Sequence, residues 1–123
     1  MLVPDLLRTQ AERTPDKVAL IVDGIAELRY EQWEAASNRL ARELVARGLS
    51  PGDRVGLMYS NADAHRFSIA YMAVHKAGGV NVPLNTRLAP AELRYIIEHC
   101  GAAGLLHGED VVAAAGGPVP GPP

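Results

Sequence analysis

The residues in this sequence that could do chemistry sit mostly where the chain turns. Arg87 has the strongest claim. It lies in the loop run Asn85-Thr86-Arg87-Leu88, directly after an apolar stretch that reads as a strand. A guanidinium there can offer a planar set of donors to phosphate or carboxylate oxygens, although an ordinary surface arginine would occupy a loop in the same way. Asn85, two residues earlier, suits a bond to its own loop backbone more than a ligand contact. Ser60 and Asn61 follow a second candidate strand, at the kind of strand end where ligands gather in parallel sheets. Their side-chain oxygens are equally suited to cap a helix. His65, His75, His99 and His107 show no paired metal-ligand spacing, and no Cys-x-x-Cys exists, so no metal site is expected. Cys100 precedes Gly101 at a predicted helix end, and reads as a small half-buried apolar side chain rather than a nucleophile. Gly78-Gly79 is the nearest approach to a phosphate-cradling loop. It follows a helix instead of opening one, and an anion site needs amides at a helix N-terminus, so the pair reads as a C-cap.

The elements that position these residues centre on residues 54–88. Residues 54–59 (RVGLMY) form a short apolar run without alternation, as expected of a strand covered on both faces. Ser60, Asn61 and Asp63 offer helix N-caps. Phe67, Ala70, Tyr71 and Val74 recur at helical spacing with Ile69 and Met72 on the flanks, which predicts a largely buried helix of about fourteen residues. Residues 80–84 give a second strand, with Pro83 near its end. Strand, helix and strand make a βαβ unit, whose crossover between parallel strands is right-handed in nearly all proteins.

The flanking segments are legible in the same terms. A short helix is predicted over 4–13, with Leu2, Leu6 and Leu7 as a weak apolar stripe. Residues 17–22 and 25–29 read as a β-hairpin around Asp23-Gly24, with a type I′ turn. Residues 30–47 read as an amphipathic helix. Trp33, Ala36, Leu40, Ala41 and Leu44 lie on its inner face, Trp33 as the anchor. Glu34, Asn38, Arg42 and Glu43 lie on its outer face, with Arg39–Glu43 and Glu43–Arg47 as i,i+4 pairs. Pro90 opens a helix that uses Leu93, Ile96 and Ile97 and stops near Cys100-Gly101. Residues 102–107 read as a third parallel strand. The fold class is therefore α/β: a mostly parallel sheet with flanking helices, preceded by a small β-hairpin. Residues 1–108 make one domain-like unit and 109–123 a Gly/Pro/Ala-rich tail, of which 116–123 (GGPVPGPP) cannot support regular structure.

Composition narrows the partners. A net charge of −2 and a pI near 6.0 argue against nucleic acid or an anionic membrane surface. One cysteine allows no internal disulfide and fits a cytoplasmic setting. No apolar run approaches the ~18 residues that a membrane span needs. The N-terminus, with Asp5 near its start, does not read as a signal peptide.

Three blocks then carry a resemblance. Residues 28–57 (LRYEQWEAASNRLARELVARGLSPGDRVGL), 75–88 (HKAGGVNVPLNTRL) and 92–106 (ELRYIIEHCGAAGLL) resemble, in order and spacing, the N-terminal part of the adenylate-forming (AMP-binding) superfamily. The wording around Asn85–Leu88 is most similar to acyl-CoA synthetases. Arg29, Trp33 and Thr86 depart from the usual threonine, leucine and proline. The resemblance implies an ATP-dependent acyl-CoA ligase. Such an enzyme activates a carboxylate as an acyl-adenylate with Mg²⁺ bound, then transfers it to coenzyme A, in the setting of fatty acid metabolism. It also implies that Arg87 contacts a phosphate of CoA. The family's Ser/Thr/Gly-rich phosphate loop and its catalytic lysine are not among these residues. The expectation is thus an N-terminal fragment that binds no ATP, Mg²⁺ or CoA by itself and is inactive alone. Its partner would be the remainder of the ligase. The alternatives are half of a split ligase acting with a complementary chain, or a non-catalytic α/β binding module. The first two imply an unpaired sheet edge and an exposed apolar face, through which the chain could also self-associate.

Overall fold

A central strand, β3 (Arg54–Met58), organises the chain, because its residues are buried on both sides from Val55 to Met58. The computed structural model describes residues 2–108, so the tail expected over 109–123 lies outside the described residues. Ahead of β3 come helix α1 (Val3–Arg13), strands β1 (Val18–Val22) and β2 (Ala26–Arg29), and helix α2 (Tyr30–Ala46). After it come a single 3₁₀ turn (Asn61–Asp63), helix α3 (Ala64–Lys76), strand β4 (Val80–Pro83), helix α4 (Pro90–Cys100) and strand β5 (Gly104–His107).

β3 pairs in parallel with β4 on one side and β5 on the other, giving the order β4-β3-β5. The connection through α3 steps one way from β3, and the connection through α4 steps back across it. Right-handed crossovers in opposite directions require helices on opposite faces. The packing agrees. Val55 and Leu57 join Ala70 and Val74 of α3, with Leu40 and Leu44 of α2 against them. Met58 instead joins Leu93 and Ile97 of α4. The parallel α/β sheet and the preceding hairpin, which forms its own antiparallel pair, are as the sequence predicts.

The starts of α1, α2 and α4 share one device. The N3 side chain accepts from the N–H of the residue before the helix: Asp5 from Leu2 at 3.1 Å, Gln32 from Arg29 at 2.8 Å, and Glu92 from Ala89 at 3.0 Å. At the other ends, Gly78 (φ +83°) and Gly101 (φ +66°) adopt the left-handed conformation that stops α3 and α4. Arg54 Nη1 also donates to the Cys100 carbonyl at 2.7 Å, which satisfies an orphan acceptor of α4.

Five expectations are corrected. The hairpin turn is not type I′: only Gly24 has positive φ, and the Ile25 amide closes onto Val22 O at 2.9 Å. A single left-handed glycine suffices because the strands resume at Ala26, one residue later than a two-residue loop allows. Of the stripe Leu2, Leu6 and Leu7, only Leu7 is buried. Glu34 and Asn38 do not face solvent but meet Lys76 of α3, because α2 packs between α1 and α3 rather than on one neighbour. Only Glu43–Arg47 of the two i,i+4 pairs forms, at 2.9 Å. Asp63 stands at the N-cap of α3 without a capping bond; its carboxylate lies 3.7 Å from Arg66 instead.

Candidate functional site at the carboxyl edge of the sheet

The order β4-β3-β5 makes a switch point between β3 and β4, because the chain leaves β3 toward one face and β4 toward the other. Ligands in open α/β sheets bind where such loops part. Two loops meet this description: Tyr59-Ser60-Asn61 after β3, and Leu84 to Arg87 after β4.

The second loop is held by one side chain. Asn85 Oδ1 accepts from the Arg87 amide at 2.8 Å, and Asn85 O accepts from Leu88 N at 3.3 Å. This is the local bond that the asparagine suggested, and it fixes the backbone that carries Arg87. Arg87 is exposed, and its guanidinium pairs with no carboxylate among the described residues. The guanidinium is therefore uncompensated and solvated, on a loop braced by Asn85.

In the first loop, Tyr59 packs edge-on against Phe67, with ring centroids 6.3 Å apart. Burial pushes its hydroxyl pKa up, and the Asp63 carboxylate adds to this while the Arg66 guanidinium opposes it. Asn61 opens the 3₁₀ turn, with Ser60 as its N-cap position.

The remaining candidates are dispersed. His75 sits against Tyr71 at 4.9 Å, His99 stacks on Tyr95 at 5.5 Å, and His107 Nδ1 lies 3.2 Å from Gly108 O. His65 Nδ1 is buried without a partner among the described residues. No three His, Cys, Asp or Glu side chains gather among the described residues. Cys100 is half-buried, its thiol 3.7 Å from Ile97 O. Gly78 and Gly79 cannot cradle a phosphate. Their amides are engaged with His75 O at 3.0 Å and Val74 O at 2.9 Å. A Cβ at Gly79 would lie 2.9 Å from Val74 Cγ1 and 3.2 Å from Asp53 O, so that glycine is there for close packing. The Gly78-Gly79 pair therefore offers no free amides to a phosphate, and Arg87 is an exposed cation on the loop after β4.

The sequence reading missed one polar cluster. Lys76 Nζ is bonded to the Glu34 carboxylate, to Asn38 Oδ1 at 2.7 Å and to Glu34 O at 3.3 Å, with the Lys76 and Glu34 side chains only 12% and 19% exposed. The available signal was a lysine ending an otherwise apolar helix. The cluster joins α2 to α3, as does Trp33 Nε1, which donates to Ser68 O at 2.9 Å. Ser68 stands near the start of α3 and Lys76 at its end, so the two contacts hold α2 along the length of α3.

The sequence matches the AMP-binding enzyme family across residues 7–119, which is most of the chain. This chain belongs to that family. It is an N-terminal part of the adenylate-forming superfamily, similar to acyl-CoA synthetases. One relative is the medium/long-chain-fatty-acid–CoA/3-oxocholest-4-en-26-oate–CoA ligase of Mycobacterium marinum, 35% identical over 105 residues. That match takes in 85% of this chain but 18% of the ligase. Surfactin synthase subunit 2 of Bacillus subtilis is also 35% identical, over 94% of this chain and 3% of its own length. Among solved structures, the N-terminal domain of FACL13 from Mycobacterium tuberculosis aligns with a TM-score of 0.77 at 31% identity, over 92% of this chain and 29% of that one. This AMP-binding chain thus spans under a fifth of the length of the curated Mycobacterium ligases that it matches.

Proposed function

We propose that this chain supplies the N-terminal part of an ATP-dependent acyl-CoA ligase and is inactive by itself. The family match over 7–119 carries the reading. When bound in such a ligase, ATP with Mg²⁺ supplies the leaving group that activates a carboxylate as an acyl-adenylate, and the CoA thiol then displaces AMP. This chain's own part is narrower. Asn85 braces the loop, and Arg87 holds a phosphate of CoA from the carboxyl edge of the sheet by charge-assisted hydrogen bonds. The rest of the chain is scaffold. Its partner is the remainder of the ligase, on the same or a complementary chain, and its setting is the cytoplasm. No described helix is long and apolar enough to cross a membrane. Strands β4 and β5, each with a single neighbour among the described residues, favour these readings over a self-sufficient binding module with a closed polar surface.

The test is direct. The chain mixed with ATP, Mg²⁺, CoA and a panel of carboxylates is expected to release no pyrophosphate above background. Sustained turnover would refute the proposal.

A further inference from the structure

Helices α2 and α3 are bonded to each other, through Lys76 to Glu34 and Asn38 and through Trp33 Nε1 to Ser68 O. Helix α1 packs against both but is held differently. Among the described residues, its hydrogen bonds and its ion pair stay within residues 2–14: Asp5 with Leu2 and Arg8, and Gln10 with Thr14. Leu7 is its one buried residue, while Leu2, Val3 and Leu6 are 73%, 44% and 57% exposed. Its seat is also incomplete. A cleft of about 310 Å³ lies between α1 and Tyr30, Trp33 and Met72, and another of about 250 Å³ lies between α1 and the Lys76–Glu34 pair. The link that follows α1 is pinned instead. Pro15 O and Lys17 O accept from the Glu31 and Tyr30 amides at 3.1 and 3.0 Å, and Asp16 O accepts from Arg29 Nη1. Residues 15–17 are therefore fixed to the start of α2, while α1 rests on one buried apolar side chain.

We propose that α1 is a strap. It swings about Thr14, with residues 15–17 as a fixed hinge, and its release bares an apolar floor of Tyr30, Trp33 and Met72. Hinges are a few element-terminal residues that absorb a change in backbone angles. Thr14 suits that place. It follows the last helical residue with φ −136° and ψ 65°, in neither the helical nor the strand region, and its side chain bonds to Gln10 of the strap itself. A helix of 11 residues has little stability alone, so release also melts it. The floor does not go with it, because the α2–α3 bonds and the core of Val55, Leu57, Ala70 and Val74 involve no residue of α1. Arg29 and Trp33, which depart from the family's usual threonine and leucine, thus serve as hinge clamp and floor. The strap is independent of the ligase reading.

Amide hydrogen exchange of the 123-residue chain tests it. The amides of Leu7 to Arg13 should exchange as a group, at least about a hundredfold faster than Ala70 and Val74 in the core, yet slower than in a free peptide. Tyr30 and Glu31, whose amides hold the hinge, should stay protected with α2. Leu7→Ala should speed exchange across α1 at least about tenfold and leave Ala70 and Val74 within about twofold. The measurement on the native chain needs no variant, so it decides even if Leu7→Ala fails to fold. Exchange of α1 as slow as that of Ala70 and Val74 overturns the strap, since α1 would then open only with the whole fold. Exchange at the free-peptide rate overturns it by showing that nothing seats the helix. Loss of Tyr30 and Glu31 protection together with that of α1 overturns the hinge at Thr14. Protection of α1 that rises with chain concentration overturns it by placing a second copy on the floor.

Discussion

On one face of β3, Val55 and Leu57 lie under α3 and α2, with α1 packed against both helices; on the other, Met58 lies under α4 alone. The first face is deep. Val55, Leu57, Ala70 and Val74 are each at most 1% exposed, and α2 is locked to α3 by the Lys76–Glu34–Asn38 cluster and by the Trp33 bond. The second is a single layer, in which Leu93 and Ile97 are supported by half-buried Leu84, Leu88, Ala102 and Leu105. Its outer surface is exposed, including Tyr95 at 65%. The difference teaches where rigidity is concentrated. The many-layered face holds the scaffold, while the thin face lies beside the Arg87 loop, whose position depends on Asn85 more than on burial.

The largest expected effect is on the deep face. Leu57→Ala should cost about 4 kcal/mol, since a cavity ringed by immobile neighbours collapses poorly. Leu93→Ala, under one layer that can settle, should cost about 2–3 kcal/mol. Urea denaturation of both variants measures this, and a reversed order would break the comparison. Next comes Lys76→Ala. It strands the partly buried Glu34 carboxylate and should cost about 1–2 kcal/mol. The double variant Glu34→Leu with Lys76→Met should recover most of that loss if the cluster binds the helices chiefly by avoiding an unpaired charge.

The smallest effect concerns Tyr59. Its folded-state pKa is raised by burial and by Asp63. Between the ordinary phenol value near 10 and the raised one, the unfolded chain binds fewer protons than the folded chain, so stability falls as pH rises through that window. Below it the contribution is fully present. Thermal melts from pH 8 to 11 should show this decline in the native chain and a shallower one in Tyr59→Phe.

Much of the fold was legible residue by residue. The β3-α3-β4 unit, the stop at Gly78 and the start of α4 at Pro90 follow from local rules: apolar period, a left-handed glycine, a proline whose missing N–H costs nothing at a first turn. Asn85 was legible too, because its bond reaches only two residues along the chain. Glu34 and Asn38 were misread for the complementary reason. An amphipathic pattern assumes one partner surface, and α2 has two. A polar residue at the second surface looks the same in sequence as one in water. The site was less legible than the scaffold. Arg87 stood out by type and position, but that its loop and the Tyr59–Asn61 loop follow adjacent strands depends on strand order.

The sequence by itself determined which segments become helix or strand and in what order, because those choices rest on hydrogen bonds and steric rules that span a few residues. Only the tertiary structure decided that β3 is central, that α3 and α4 take opposite faces, and that α1 rests on α2 and α3 through Leu7. Those outcomes depend on which distant strands pair and on which helix surfaces meet. No local periodicity encodes that, since a strand buried on both faces reads the same whichever neighbour it takes.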